Sequence, residues 1–159
     1  MNFLSEELQE YVTNHSENEP ELLKELNKET WQKVLNPRML SGAYQGRVLA
    51  MISKLIQPKN ILEIGTYTGY SALCLAEGLK PNGNLHSLDN NEECTYVANR
   101  YFKKSNFSKN IIQHIGDALE IIPNLNYNFQ LAFIDADKKN YSNYFDAIIE
   151  KMDIVAGYS

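Results

Sequence analysis

Apolar positions at helical spacing occupy the first third of the chain, and strand-like runs follow them. Leu8, Tyr11, Val12 and His15 recur every three or four residues and predict a first helix. Leu22, Leu23, Leu26 and Trp31 predict a second, opened by Pro20, a residue suited to the first turn. "NPRMLSG" breaks the period. A third helix, about 43–57, carries Val48, Leu49, Ile52, Leu55 and Ile56 on one face. Then the period shortens. "NILEIG", "NLHSLD", "NIIQHIG" and "FQLAFID" are short apolar or alternating runs, separated by helical patterns at 70–79, 92–104 and, briefly, 118–122. A last helix at 141–152 carries Tyr144, Phe145, Ile148 and Ile149. Strands alternating with helices predict an α/β fold with a parallel sheet and helices on its faces. Residues 1–57 read as a helical cap and 58–159 as the α/β part of one domain.

The length, 159 residues, suits a single domain with a real core. The apolar share, 43%, and the charged share, 22%, are those of an ordinary soluble globular protein. The start, "MNFLSEELQE", lacks a basic-then-apolar signal pattern, and no apolar run approaches membrane-spanning length. Cys74 and Cys94 have no metal-type spacing and read as reduced packing residues, which suits a cytoplasmic protein. A net charge of −5 disfavours a nonspecific nucleic-acid binder. The distribution changes the picture more. Residues 1–30 carry eight acids against two lysines, whereas 31–60 carry Lys33, Arg38, Arg47, Lys54 and Lys59 and no acid. That basic run reads either as a solvated helix face or as a lip for an anionic substrate.

In parallel sheets ligands bind at the carboxyl ends of the strands, so the residues standing there are the candidates. After the first strand come Glu63, Gly65 and Gly69, with Ser71 in the first turn of the next helix. Asp89 follows the second strand, Gly116, Asp117 and Ala118 the third, and Asp135, Asp137 and Lys138 the fourth. Each acid alone reads equally well as a helix cap or turn former. The glycine spacing is E-x-G-x-x-x-G, not the G-x-G-x-x-G that seats a pyrophosphate on a helix N-terminus. An acid beside the loop repels a pyrophosphate and suits an ammonium or a sulfonium. Asp89, in the ribose position, can accept from both hydroxyls of an adenosine. Together these features favour S-adenosylmethionine over a nicotinamide dinucleotide.

"NPRMLSG", "QGRVL", "ILEIGTYTGYSALCLAEGL", "SLDNNEE", "GDALEIIP" and "FIDADKKNY", in unbroken order over residues 35–152, resemble the cation-dependent O-methyltransferases of the caffeoyl-CoA and catechol type. The resemblance implies a class I methyltransferase fold, a homodimer, a divalent metal (usually Mg²⁺) and methyl transfer to one of two vicinal hydroxyls of a small molecule. Bacterial members also include tRNA 5-hydroxyuridine methyltransferases, so tRNA stands as an alternative substrate. Matched by position, Gly65 and Gly69 fall in the cofactor loop with Glu63 as its acidic flank. Ser71 matches a contact to the methionine carboxylate, and Met39 a contact in the entry segment. Asp89 matches the ribose acid, and Asp117 and Ala118 the adenine-side loop. Asp135 matches a residue that both touches the cofactor and binds metal, and Lys138 the lysine proposed as general base.

One departure stands out. In the family the helix after "DADKKNY" leads through a glycine turn to a strand ending in an Asp-Asn pair, the other two protein ligands of the metal. Here the chain reads "EKMDIVAGYS". The expectation is therefore a truncated member with four strands in the order 3-2-1-4 and an open apolar edge on the fourth. One carboxylate, Asp135, is too few to hold a hard cation in fixed geometry. An active enzyme and a catalytically inactive cofactor-binding remnant both remain open readings.

Overall fold

Four parallel strands carry the molecule, and every loop at their carboxyl ends faces the same way. β1 (Asn60–Ile64), β2 (Asn84–Asp89), β3 (Ile111–Ile115) and β4 (Leu131–Ile134) lie in the order β3-β2-β1-β4. They are seen in a computed structural model that describes residues 5–34 and 37–153. Ile61 is in register with Leu85 on one side and Leu131 on the other, and Ile64 with Leu88 and Ile134. β1 lies between two strands and is buried on both faces, which is why it reads as an almost unbroken apolar run. The α/β class is the one that the alternation predicted, and the sheet order is the one that the resemblance implied.

Side chains alternate across the sheet and so divide the core in two. Ile61 and Leu85 face a layer of α2 (Glu21–Lys33), α3 (Gly42–Ile56), α4 (Tyr70–Ala76) and α5 (Glu92–Lys104), packed through Leu26, Leu49, Leu75 and Phe102. Leu62, Ile64 and Leu88 face α6 (Ala118–Ile121) and α7 (Tyr141–Ile149), packed through Ile122, Tyr144 and Ile148. α5 starts where Asn91 accepts from the Cys94 N–H at 3.1 Å, with Glu92 and Glu93 in its first turn and Lys103 and Lys104 in its last. α1 (Glu6–His15) buries no residue.

Two boundaries differ from the periodic pattern. α4 stops at Ala76 because Gly78 must lie against α3, where a Cβ would stand 2.1 Å from the Ser53 carbonyl carbon. α7 stops at Ile149, and Met152 then forms a parallel bridge with Phe129. The Phe129 N–H donates to the Lys151 carbonyl at 2.8 Å, and the Asp153 N–H to the Phe129 carbonyl at 2.9 Å. Among the described residues β4 is an edge strand paired only with β1, as expected, and the bridge covers the edge only at Phe129, just before its first residue. Unpaired backbone groups there attract the chain away from another helical turn.

Three members of the basic run are taken up by neighbouring segments of the chain. Arg47, its side chain 8% exposed, reaches from α3 to Glu77 beyond α4, with Nη2 2.5 Å from Oε1, and to Glu17 at 3.5 Å. Lys54 shares both acids, at 2.9 Å and 3.8 Å. Lys59 donates to the Asn82 carbonyl at 2.7 Å. Glu29 of α2 accepts from Arg100 and Tyr101 of α5 at 2.5 and 2.7 Å, and from Lys33 at 3.3 Å. The Arg100 guanidinium, helped by the Tyr101 hydroxyl, holds the Glu29 carboxyl down at about 2.

Removing Arg47 leaves the mostly buried Glu77 facing α3 without its main counter-charge. Arg47→Ala should lower the unfolding free energy by about 3 kcal/mol in urea titration at pH 7, and Arg47→Lys should recover only part of it.

Candidate functional site

Because all four strands run in parallel, their terminal loops gather at one end of the sheet and enclose a cavity of about 1170 Å³. Gly65, Thr66, Tyr67 and Ser71 line it after β1, and Asp89 and Asn90 after β2. Gly116, Asp117 and Ala118 line it after β3, and Asp135 to Lys138 after β4. Met39, Leu40 and Ser41, just before α3, supply another wall, with Met39 64% exposed. Lys33 also reaches this cavity, but its ammonium lies 3.3 Å from Glu29.

Gly65 and Gly69 have different jobs. Gly65 has φ +102°, and a Cβ there would come 2.1 Å from the Asp135 carbonyl oxygen. The loops after β1 and β4 touch backbone to backbone at this point, and the Asp135 N–H donates to the Ile64 carbonyl at 2.9 Å. Gly69 has φ +89° and turns away from the cavity, with the Phe102 ring 2.6 Å and Ala98 3.0 Å from where its Cβ would be. It seats the loop on α5.

Glu63 stands apart from its expected place. The spacing pointed its carboxylate at a ligand, yet the side chain is fully buried and does not line the cavity. Strand alternation puts residue 63 on the same face as Ile61, beneath α4. There Oε1 accepts from the Ser71 hydroxyl at 2.6 Å and Oε2 from the Ser87 hydroxyl at 2.5 Å. Thr66 extends the chain of hydroxyls to Ser87 at 2.6 Å. Burial pushes the Glu63 carboxyl up to about 7, the two serine bonds pull against it, and the charges of Asp89 and Asp135 add to the rise.

The other acids hold loops as well as facing the cavity. Asp89 accepts from the Tyr67 N–H at 2.7 Å and the Asn91 N–H at 2.9 Å. Asp117 caps α6 by accepting from the Leu119 N–H at 2.8 Å. Asp137 takes the Tyr144 hydroxyl at 2.5 Å and the Asn140 amide at 2.6 Å, and the first of these holds its carboxyl below the usual range. Asp135 and Lys138 are exposed on the cavity wall. Among the described residues no three His, Cys, Asp or Glu side chains gather where a metal ion could sit. Asp135 alone does not fit a divalent cation, which asks for several oxygen ligands.

Tyr67 and Tyr144 are among the cavity residues that escaped the sequence reading. Tyr67 has φ +47°, a left-handed backbone that a tyrosine rarely adopts, and Asp89 holds it there. Nothing in "GTYTG" marks that residue, since the signal lies twenty-two positions away in Asp89. Tyr144 reaches the cavity from α7, where helical periodicity marks it only as core.

The family model described as O-methyltransferase matches residues 13–155. The chain belongs to that family. Caffeoyl-CoA O-methyltransferase of Petroselinum crispum is 34% identical over 158 residues, covering 94% of this chain and 65% of the relative. Its counterpart in Mesembryanthemum crystallinum is 37% identical over 148 residues, covering 88% and 58%. The chain thus spans two thirds or less of these relatives. The O-methyltransferase TomG of Streptomyces achromogenes, solved in complex with SAM, superposes with a TM-score of 0.85 at 28% identity, covering 92% of this chain and 67% of TomG. An O-methyltransferase of Bacillus cereus, solved with SAH, gives 0.85 at 29% identity, covering 92% and 68%.

The Gly65 contact is testable without any ligand. Gly65→Ala must push the loops after β1 and β4 apart and strain the backbone, at a cost of about 1–3 kcal/mol. Thermal unfolding followed by circular dichroism should show the loss, whereas alanine at Gly42, where φ is +74° but nothing lies within 4 Å, should show the backbone strain alone and so a smaller loss.

Proposed function

We propose that this chain binds S-adenosylmethionine at the carboxyl ends of β1 to β4. In this reading it forms the donor-binding part of an O-methyltransferase acting on a small molecule with two neighbouring hydroxyls, of the caffeoyl-CoA or catechol kind. The observation that carries the reading is Asp89. Its two oxygens each accept one backbone N–H and keep further lone pairs for the ribose hydroxyls, on the wall of a cavity with adenosine-sized room. Support comes from the SAM and SAH named with two solved neighbours of the same fold.

The chemistry is an in-line displacement. A substrate oxygen attacks the methyl carbon, the sulfur–methyl bond breaks, and S-adenosylhomocysteine leaves as a neutral thioether. Positioning supplies much of the acceleration, so the walls that hold the donor matter most. Gly65, Asp89, Asp117 and Ala118 are assigned to the adenosine side, and Ser71, Met39 and Asp135 to the methionine side. Lys138, on the same rim as Asp135, is assigned as acceptor of the hydroxyl proton. Gly69 and Glu63 are assigned support of that loop rather than contact with the donor. Asp135 alone does not fit the Mg²⁺ that the resemblance implies, so alignment of the two hydroxyls is left to the cavity walls in this reading. A homodimer finds support in the exposed apolar side chains Tyr44, Met51 and Leu55 along α3.

Asp89→Ala should weaken S-adenosylmethionine binding by about 1–3 kcal/mol in titration calorimetry, the scale for losing a charged acceptor. An unchanged dissociation constant would remove the ribose assignment. With Asp135 as the one carboxylate assigned to a cation among the described residues, catechol methylation by this chain should show little stimulation by magnesium. Turnover that rises with magnesium and vanishes with chelator would contradict that ligand count.

A further inference from the structure

Ser71 lines the cavity, and the single proton of its hydroxyl is already committed. It is donated to Glu63 Oε1 at 2.6 Å, while Glu63 Oε2 takes the proton of Ser87 at 2.5 Å. As long as Glu63 is ionised, Ser71 shows the cavity only lone pairs and can receive an ammonium but cannot donate to a carboxylate. When Glu63 carries a proton it can donate to Ser71 instead, and the Ser71 proton is then released toward the cavity. We infer that Glu63 is a positioning residue that sets the hydrogen-bond polarity of Ser71, so that a carboxylate-bearing ligand binds at this serine together with one proton taken up by Glu63.

The surroundings of Glu63 favour that uptake. It is fully buried between β1, β2 and α4. The charged groups that act on it most are Asp89 at the end of β2 and Asp135 beyond β4, both acidic. From α4 comes Cys74, whose thiol burial pushes up to about 12 and keeps neutral. Thr66 and Ser87 add hydroxyls only. Burial and the two acids place the carboxyl at about 7, within reach of neutral pH. Charge also sorts the ligand. The exposed Asp135 on the cavity wall is the natural partner for an ammonium, which leaves the ligand carboxylate to seek a donor away from it.

This inference rests on the donor reading above, and S-adenosylhomocysteine, which has an ammonium and a carboxylate but no sulfonium, is the probe. Titration calorimetry at pH 6 and pH 8, in buffers of small and large ionisation enthalpy, reads the protons exchanged. The expected result is uptake approaching one proton per site at pH 8 and little at pH 6, with affinity falling up to about tenfold per pH unit above 7. Glu63→Gln should bind with no proton uptake and a flat pH profile, and so should Ser71→Ala, more weakly. The wild-type chain should bind the decarboxylated analogue of the probe without uptake. Carbon-13 NMR of the glutamate carboxyls should show one titrating near neutral pH that moves upward when the probe binds. Binding at pH 8 with the same heat in both buffers overturns the inference, as does uptake that survives in Glu63→Gln. No binding heat at either pH instead strikes the donor reading itself, and the inference falls with it.

Discussion

Only a hydrogen atom fits between residue 65 and the carbonyl of Asp135, and the site is built around that constraint. The approach of the two loops at 2.1 Å from an imagined Cβ lets β1 and β4 end side by side. It places Asp135 opposite the loop that runs on to Ser71. With a larger residue the fourth strand's loop would stand off, and the cavity would lose one wall. The bare backbone needed here comes from packing between loops rather than from the approach of a phosphate.

The acids of the site do structural work and chemical work with the same atoms. Asp89 fixes the left-handed Tyr67 and the start of the turn before α5. Asp117 caps a helix, and Asp137 anchors Tyr144. A carboxylate has lone pairs enough for both tasks, so reading each as a cap did not exclude reading it as a cavity wall. Glu63 is the exception, because burial gives it no access to a ligand and leaves it to act through two serines. Its raised carboxyl follows from the same burial, with Asp89 and Asp135 adding to it.

The helical cap is held by ion pairs at its edges and by apolar contact at its centre. Arg47 and Lys54 face Glu77 and Glu17, while Glu29 takes Arg100, Tyr101 and Lys33. Part of the uneven charge between residues 1–30 and 31–60 is thus complementarity between segments of one chain, through Glu17 and Glu29. Acids of the first segment and of Glu77 meet bases of the second.

Periodicity in the sequence was enough to determine the elements, the α/β class and the end of the sheet where candidates cluster. These depend on which neighbouring residues are apolar, and that is a local property. Strand-end positions such as Asp89, Asp117 and Asp135 were legible for the same reason, since they follow apolar runs. Tertiary structure alone decided which way each side chain turned. Glu63 went inward because residue 63 shares a face with Ile61 beneath α4, and Gly69 went outward because Phe102 packs against it. Met152 left helical periodicity because Phe129, twenty-three residues earlier, offered unpaired backbone groups. Such outcomes depend on partners distant in the chain, whose arrival no stretch of consecutive residues records.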